Sequence, residues 1–153
     1  MAAPSDFGHD FVVYDRNQRL VAVGDVKNKK NTSQRWAAQL RRNMLAHGRA
    51  PSPGEYFFLA TPDRVYLWKG ADLSQLPHDI DARSLFTPYF QRAGLRLEDA
   101  RPQAFELVVA SWLGDLRNFD VSREELAAEQ PELISSGFVD AILGGRLAYE
   151  PAA

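Results

Sequence analysis

Apolar residues recur along this chain in two rhythms, and the rhythms change at legible points. Phe11-Val12-Val13-Tyr14 and Leu20-Val21-Ala22-Val23 are short runs rich in β-branched and aromatic residues. The second run continues through Gly24 to Lys27. Between them, Asp15-Arg16-Asn17-Gln18 has the composition of a tight turn, so the pair predicts a hairpin. After a polar, basic stretch from Asn28 to Thr32, Trp36, Ala37, Leu40 and Met44 recur at spacings of three and four. That spacing predicts a helix with one buried face, capped by Thr32 or Ser33 and closed by Gly48. Ala50-Pro51-Ser52-Pro53-Gly54 reads as a loop. A second hairpin follows, Tyr56 to Ala60 and Val65 to Trp68 around Thr61-Pro62-Asp63-Arg64. Its first strand is apolar throughout, as a sheet interior requires.

From residue 80 the pattern turns helical. Leu85, Phe86, Tyr89 and Phe90 share a face, with Pro88 expected to start or kink the helix there. Phe105, Val108, Val109, Trp112, Leu113 and Leu116 form the strongest helical stripe in the chain. Ser122 and Glu125 predict a capped short helix ending near Gln130. Phe138 to Leu143 predicts another, and Arg146 to Glu150 an edge strand. Residues 1–8 read as a loose lead-in. The expected fold is one α/β domain over residues 1–153, a four- or five-stranded mixed sheet in β-β-α-β-β order flanked by helices. Its core spans about residues 9–117 and a helical C-terminal extension covers 118–153.

Composition narrows the class. With 153 residues, 45% hydrophobic and 25% charged, the chain suits a globular domain with a real core. No apolar run is long enough to cross a bilayer, so no membrane partner is expected. The absence of cysteine excludes disulfides and thiolate metal sites. No basic-then-apolar leader is seen, and the expectation is a cytoplasmic protein. Net charge is only −2, but its distribution is uneven. Residues 1–70 carry 11 Lys/Arg and 6 Asp/Glu, and residues 71–153 carry 7 and 14. A basic half beside an acidic half can place a polyanion on one side.

The candidate chemistry lies between Asp10 and Lys30. Asp10 opens the first strand of the hairpin, and Asp25 and Lys27 close the second. Residues two apart on a strand share a face. Pairing around a turn near residues 16–18 sets Asp10 opposite residues 24–26, bringing two carboxylates and one amine together. Two carboxylates can hold Mg²⁺, a hard cation that keeps several of its waters. Such a metal polarises a phosphoryl oxygen and acidifies bound water. The backbone carbonyl of Val26 is a third candidate ligand. Lys27 can orient or deprotonate water, or stabilise developing charge. Repulsion between the carboxylates predicts that Asp25→Ala folds as well as the natural chain, or better.

Asp10, an apolar strand, a turn, a second apolar strand and Asp25-Val26-Lys27 together resemble the PD-(D/E)xK nuclease motif. The following polar loop, the helix carrying Gln39-Leu40 and the hairpin Tyr56 to Trp68 resemble small members of that restriction-endonuclease-like superfamily, over roughly residues 9–117. Position 9 is His where the motif has proline. The resemblance implies Mg²⁺-dependent phosphodiester hydrolysis of nucleic acid, DNA first, with Mn²⁺ able to substitute. It implies Asp10 and Asp25 as metal ligands, Lys27 as the catalytic lysine and Gln39 as a helix residue near the site. The superfamily's fold has a helix before its first strand, often bearing an acidic residue, and only nine residues precede Asp10 here. The stripe from Phe105 to Leu116 is therefore expected to pack beside the first strand in its place. A homodimer lending helices is the alternative.

Lys29, Lys30, Arg35, Arg41, Arg42 and Arg49 follow the candidate site as phosphate contacts or as a solvated helix face. Trp36 and Trp112 sit on apolar stripes and read as core. His9 adjoins Asp10, but successive strand residues face opposite ways, which argues against its joining the site. Two other functions compete with a nuclease. One is a non-catalytic relative binding nucleic acid or a partner protein. The other is an interaction subunit whose acidic C-terminal half docks another chain.

Overall fold

The computed structural model describes residues 8–72, 74–118 and 122–149. The expected lead-in at residues 1–7 and the end of the last strand at Glu150 lie outside them. The first hairpin is β1 (Phe11–Tyr14) and β2 (Leu20–Val26). Asp15 organises its turn, accepting from the N–H groups of Asn17 at 2.8 Å and Arg19 at 3.0 Å. Helix α1 (Gln34–His47) follows, its N-terminus capped by the Ser33 hydroxyl, which accepts from Trp36 N–H at 3.1 Å. Then come β3 (Tyr56–Ala60) and β4 (Arg64–Lys69). The first five elements thus run β-β-α-β-β.

The sheet has six strands in a mixed arrangement, one or two more than the sequence led us to expect. The fifth is β5 (His78–Asp81), pairing antiparallel with β4. It escaped the sequence reading because it is four residues long, mostly polar, and buries only Ile80. The sixth is β6 (Arg146–Tyr149), antiparallel to β1, at the opposite edge. Strand order is β5-β4-β3-β2-β1-β6, with β2 and β3 parallel and the other neighbours antiparallel.

Helix α2 (Arg83–Arg92) continues through Pro88, which neither starts it nor ends it. Proline removes one backbone donor there. Phe86 and Phe90, on either side of it, are both buried in the core and hold the helix in place. Helix α3 (Pro102–Arg117) buries Phe105, Val108, Val109, Trp112, Leu113 and Leu116. It packs against β2 and β6, the strands flanking β1. Short helices α4 (Arg123–Glu129), α5 (Pro131–Ser135) and α6 (Phe138–Ile142) lead back to β6. Thus β6 joins the sheet beside β1, and α6 packs against β2.

The two faces of the sheet are covered differently. Phe11, Val13, Ala22, Phe58, Val65 and Leu67 point to α2, α3 and α6. Val12, Val23, Phe57, Leu59, Tyr66 and Trp68 point to α1.

Candidate functional site

The β1–β2 register pairs Phe11 with Gly24, which puts Asp10 opposite Asp25 as the turn arithmetic expects. Glycine at 24 is required by its surroundings. A Cβ there would lie 2.1 Å from the ring of Phe58, which is fully buried. At the open end of the hairpin the two carboxylates clasp each other's strand. Asp10 N–H donates to Asp25 Oδ1 at 2.9 Å, and Val26 N–H donates to Asp10 Oδ2 at 2.9 Å. Asp25 is 5% exposed. Its second oxygen, Oδ2, lies 3.0 Å from His9 Nδ1. His9 is thus drawn into the cluster, contrary to the expectation from strand alternation. The residue lies just before β1, where alternation no longer dictates direction, and its ring packs against Phe57 with centroids 5.6 Å apart.

Lys27 continues the β2–β3 pairing one residue past the strand, its N–H donating to Ala60 O at 2.9 Å. Its side chain is exposed. Burial pushes the Asp10 carboxyl above its ordinary range. The Val26 hydrogen bond opposes that rise, the Asp25 charge adds to it, and Lys27 and His9 oppose it further. Asp10, Asp25 and Lys27 therefore stand within electrostatic reach of one another at one end of the hairpin.

A fourth charged group belongs here. Glu106, on α3, is pushed up by burial first and then by the charge of Asp10. The loop after β2 fixes that helix: Asn28 Nδ2 donates to Ala100 O at 2.9 Å, and Lys30 Nζ donates to Glu98 O, just before α3. Sequence reasoning passed over Glu106. The available signal was an acid beside the apolar stripe, between Phe105 and Val108. The site thus sits where the sheet ends between α3 on one face and α1 on the other.

The remaining candidates disperse. Gln39 lies on the exposed side of α1, its Nε2 donating to Asn43 at 3.2 Å and its Oε1 accepting from Arg42 at 3.0 Å. Gln39 and Arg42 are thus occupied with each other and not brought to the carboxylates. Lys29 lies 5.3 Å above the Trp36 ring, and Lys30 is held at Glu98. Arg35 is exposed. Val26, expected to contribute its carbonyl, also joins the site through its N–H, which Asp10 accepts. Asp25→Ala, expected to relieve repulsion, would also remove the acceptor of the part-buried Asp10 N–H and the partner of the His9 ring. Arg41, grouped by sequence with the surface cations, is buried.

Among the described residues no three His, Asp or Glu side chains are gathered as a metal cage. Mg²⁺ does not need one, because it is commonly held by one or two carboxylates and its own waters. Asp10 keeps Oδ1 clear of the hairpin clasp, and burial makes its negative charge costly, so a cation there would be favoured. The donor chemistry fits that ion. Among the described residues no helix is long and apolar enough to cross a membrane. Comparison with known protein families, curated proteins and solved structures finds no match to this chain.

Proposed function

We propose that this protein is a metal-dependent nuclease of the PD-(D/E)xK type, hydrolysing phosphodiester bonds of nucleic acid, DNA in the first place. The observation that carries the reading is the clasp itself. Asp10 and Asp25 meet across the end of the hairpin, with Lys27 beside them and Glu106 delivered by α3. In this reading Asp10 and Asp25 hold Mg²⁺ or Mn²⁺, with the Val26 carbonyl a further oxygen within the same turn of chain. The ion supplies Lewis acidity and an acidified water. Lys27 is exposed, so its amine is free to orient that water and to offset charge on the phosphate. Glu106 adds negative charge from the α3 side. The superfamily's sheet order, with α3 in the place of the helix before the first strand, belongs to the same proposal.

One observation favours a second reading, a non-catalytic relative that binds nucleic acid. Both oxygens of Asp25 are engaged, one by Asp10 N–H and one by His9, and the residue is almost wholly buried. Plasmid cleavage separates the two. The nuclease reading expects nicking with Mg²⁺ or Mn²⁺, loss on chelation, and a fall of at least about 100-fold in Lys27→Ala, the usual scale for a proton-transfer group. Equal activity in natural and Lys27→Ala protein removes the lysine from the mechanism. No cleavage with any metal, alongside salt-sensitive DNA binding, establishes the second reading instead.

A further inference from the structure

Arg41 stands apart from the other cations of the chain. It lies on the second turn of α1, only 5% exposed, its guanidinium carbon 4.2 Å from the centre of the Phe57 ring. A guanidinium carries five N–H donors. Among the described residues no protein group accepts a hydrogen bond from Arg41, and its nitrogens are not among the fully enclosed ones, so its donors face solvent at the rim of the site. Its nearest acids are occupied elsewhere. Glu55 forms a two-pronged pair with Arg49 at 3.1 and 2.6 Å, and Asp25 holds His9 and Asp10 N–H. Burial outweighs the through-space help of both carboxylates and brings Arg41 down to about 10. A buried cation in that condition is stabilised by any anion that reaches it.

The surroundings say which kind. Residues 26–54 contain seven Lys/Arg and no Asp or Glu. Lys27, Arg35 and Arg42 of the same stretch are exposed. Such a stretch concentrates polyanions, and the planar fork of an arginine matches the oxygens of a phosphate with two parallel hydrogen bonds.

We propose that Arg41 is a phosphate seat on the α1 side of the sheet end, receiving one phosphate group of a nucleic-acid strand beside the Asp10–Asp25 clasp. Assigning that phosphate to a nucleic-acid strand rests on the functional reading above, whereas the anion seat does not.

The test is run with chelator present, so that no cleavage is needed. Arginine side-chain N–H signals of the isotope-labelled protein are followed by NMR at constant ionic strength. Inorganic phosphate is titrated first, then a short oligothymidylate, with chloride as control. The Arg41 signal is the one missing from the Arg41→Lys spectrum. It should shift saturably with phosphate and with the oligonucleotide, and not with chloride. Arg41→Lys should bind phosphate at least about tenfold more weakly, the loss of one charge-assisted hydrogen bond. Phosphate should raise the melting temperature of the natural protein and not that of Arg41→Met. An unmoved Arg41 signal, or equal phosphate stabilisation of Arg41→Met, overturns the seat. A response to phosphate with none to the oligonucleotide overturns the strand assignment. If Arg41→Met does not fold, the natural protein and Arg41→Lys still decide. A protein that binds phosphate here but never cleaves DNA refutes the nuclease and not the seat, and one that cleaves with Arg41 silent does the reverse.

Discussion

The two faces of the sheet are built to different rules. Toward α2, α3 and α6 the core is large and aromatic: Phe86 meets Phe105 and Trp112 edge to face, and Phe58 meets Phe138 in the same way. Toward α1 the apolar core is small, and buried charge interrupts it. Asp25, Arg41 and Glu55 are all within 5% of complete burial on or beside that face. Burying ions is unfavourable unless they are paired, and of these three only Asp25 and Glu55 have protein partners, so a face that keeps Arg41 as well is not arranged for stability alone. The helical face holds the fold, and the α1 face, together with the sheet end it borders, carries the polar chemistry.

That contrast breaks if stability is spread evenly over both faces. Phe105→Ala should cost about 3–5 kcal/mol, since a fully buried ring on the helical face is lost and a cavity remains. Arg41→Met keeps an unbranched stem over Phe57 and removes an ion that no protein group accepts from, so it should cost less than about 1.5 kcal/mol. Urea unfolding of the two variants reads the difference directly. Equal losses would mean that Arg41 is an ordinary structural cation. Gly24→Ala comes next. Its methyl would be driven into the Phe58 ring, at a cost of about 1–3 kcal/mol as the buried ring is displaced. Natural stability in Gly24→Ala would show that β2 can shift, and with it the position of Asp25.

Much of this division was readable from sequence. The periodicity of α1 and α3, the two hairpins and the Asp10–Asp25 register all follow from local rules that act within about 20 residues. Two things did not. β5 is set by its partner strand, because one buried isoleucine among polar neighbours carries no periodic signal. The direction of a side chain at a strand end is also tertiary. His9 and Arg41 appeared as a strand neighbour and a surface cation, and packing on Phe57 turned both inward. Glu106 meets Asp10 across 96 residues of chain, a distance over which no local pattern acts.

The clasp gives a middle-sized test of the same contrast. Asp25→Ala leaves the Asp10 N–H and the His9 ring without their acceptor and should cost about 1–3 kcal/mol. Asp25→Asn, which can still accept from Asp10 N–H, should recover part of that loss. If Asp25→Ala proves as stable as the natural chain, repulsion from Asp10 dominates after all and the hydrogen bonds contribute little.

The smallest expected effect is a slope in pH. Burial raises the Asp10 carboxyl, and burial with the Asp10 charge raises Glu106. A carboxyl raised in the folded state binds its proton more tightly there than in the unfolded chain. Its contribution to stability is fully present below the unfolded value, about 4 for a carboxyl, and is lost as pH rises through the folded value. Unfolding free energy should therefore lose a small increment just above that pH. Asp10→Asn keeps an oxygen to accept from Val26 N–H and has no charge to bury, so its profile should be flatter there. It should also lower the Glu106 carboxyl, which NMR titration of the glutamate side chains can read. Mg²⁺ or Ca²⁺ should flatten the natural profile in the same way and leave Asp10→Asn unchanged, because the cation replaces the proton as the partner of the buried carboxylate. A metal-insensitive profile in the natural protein would mean that the clasp holds the hairpin closed and binds no cation.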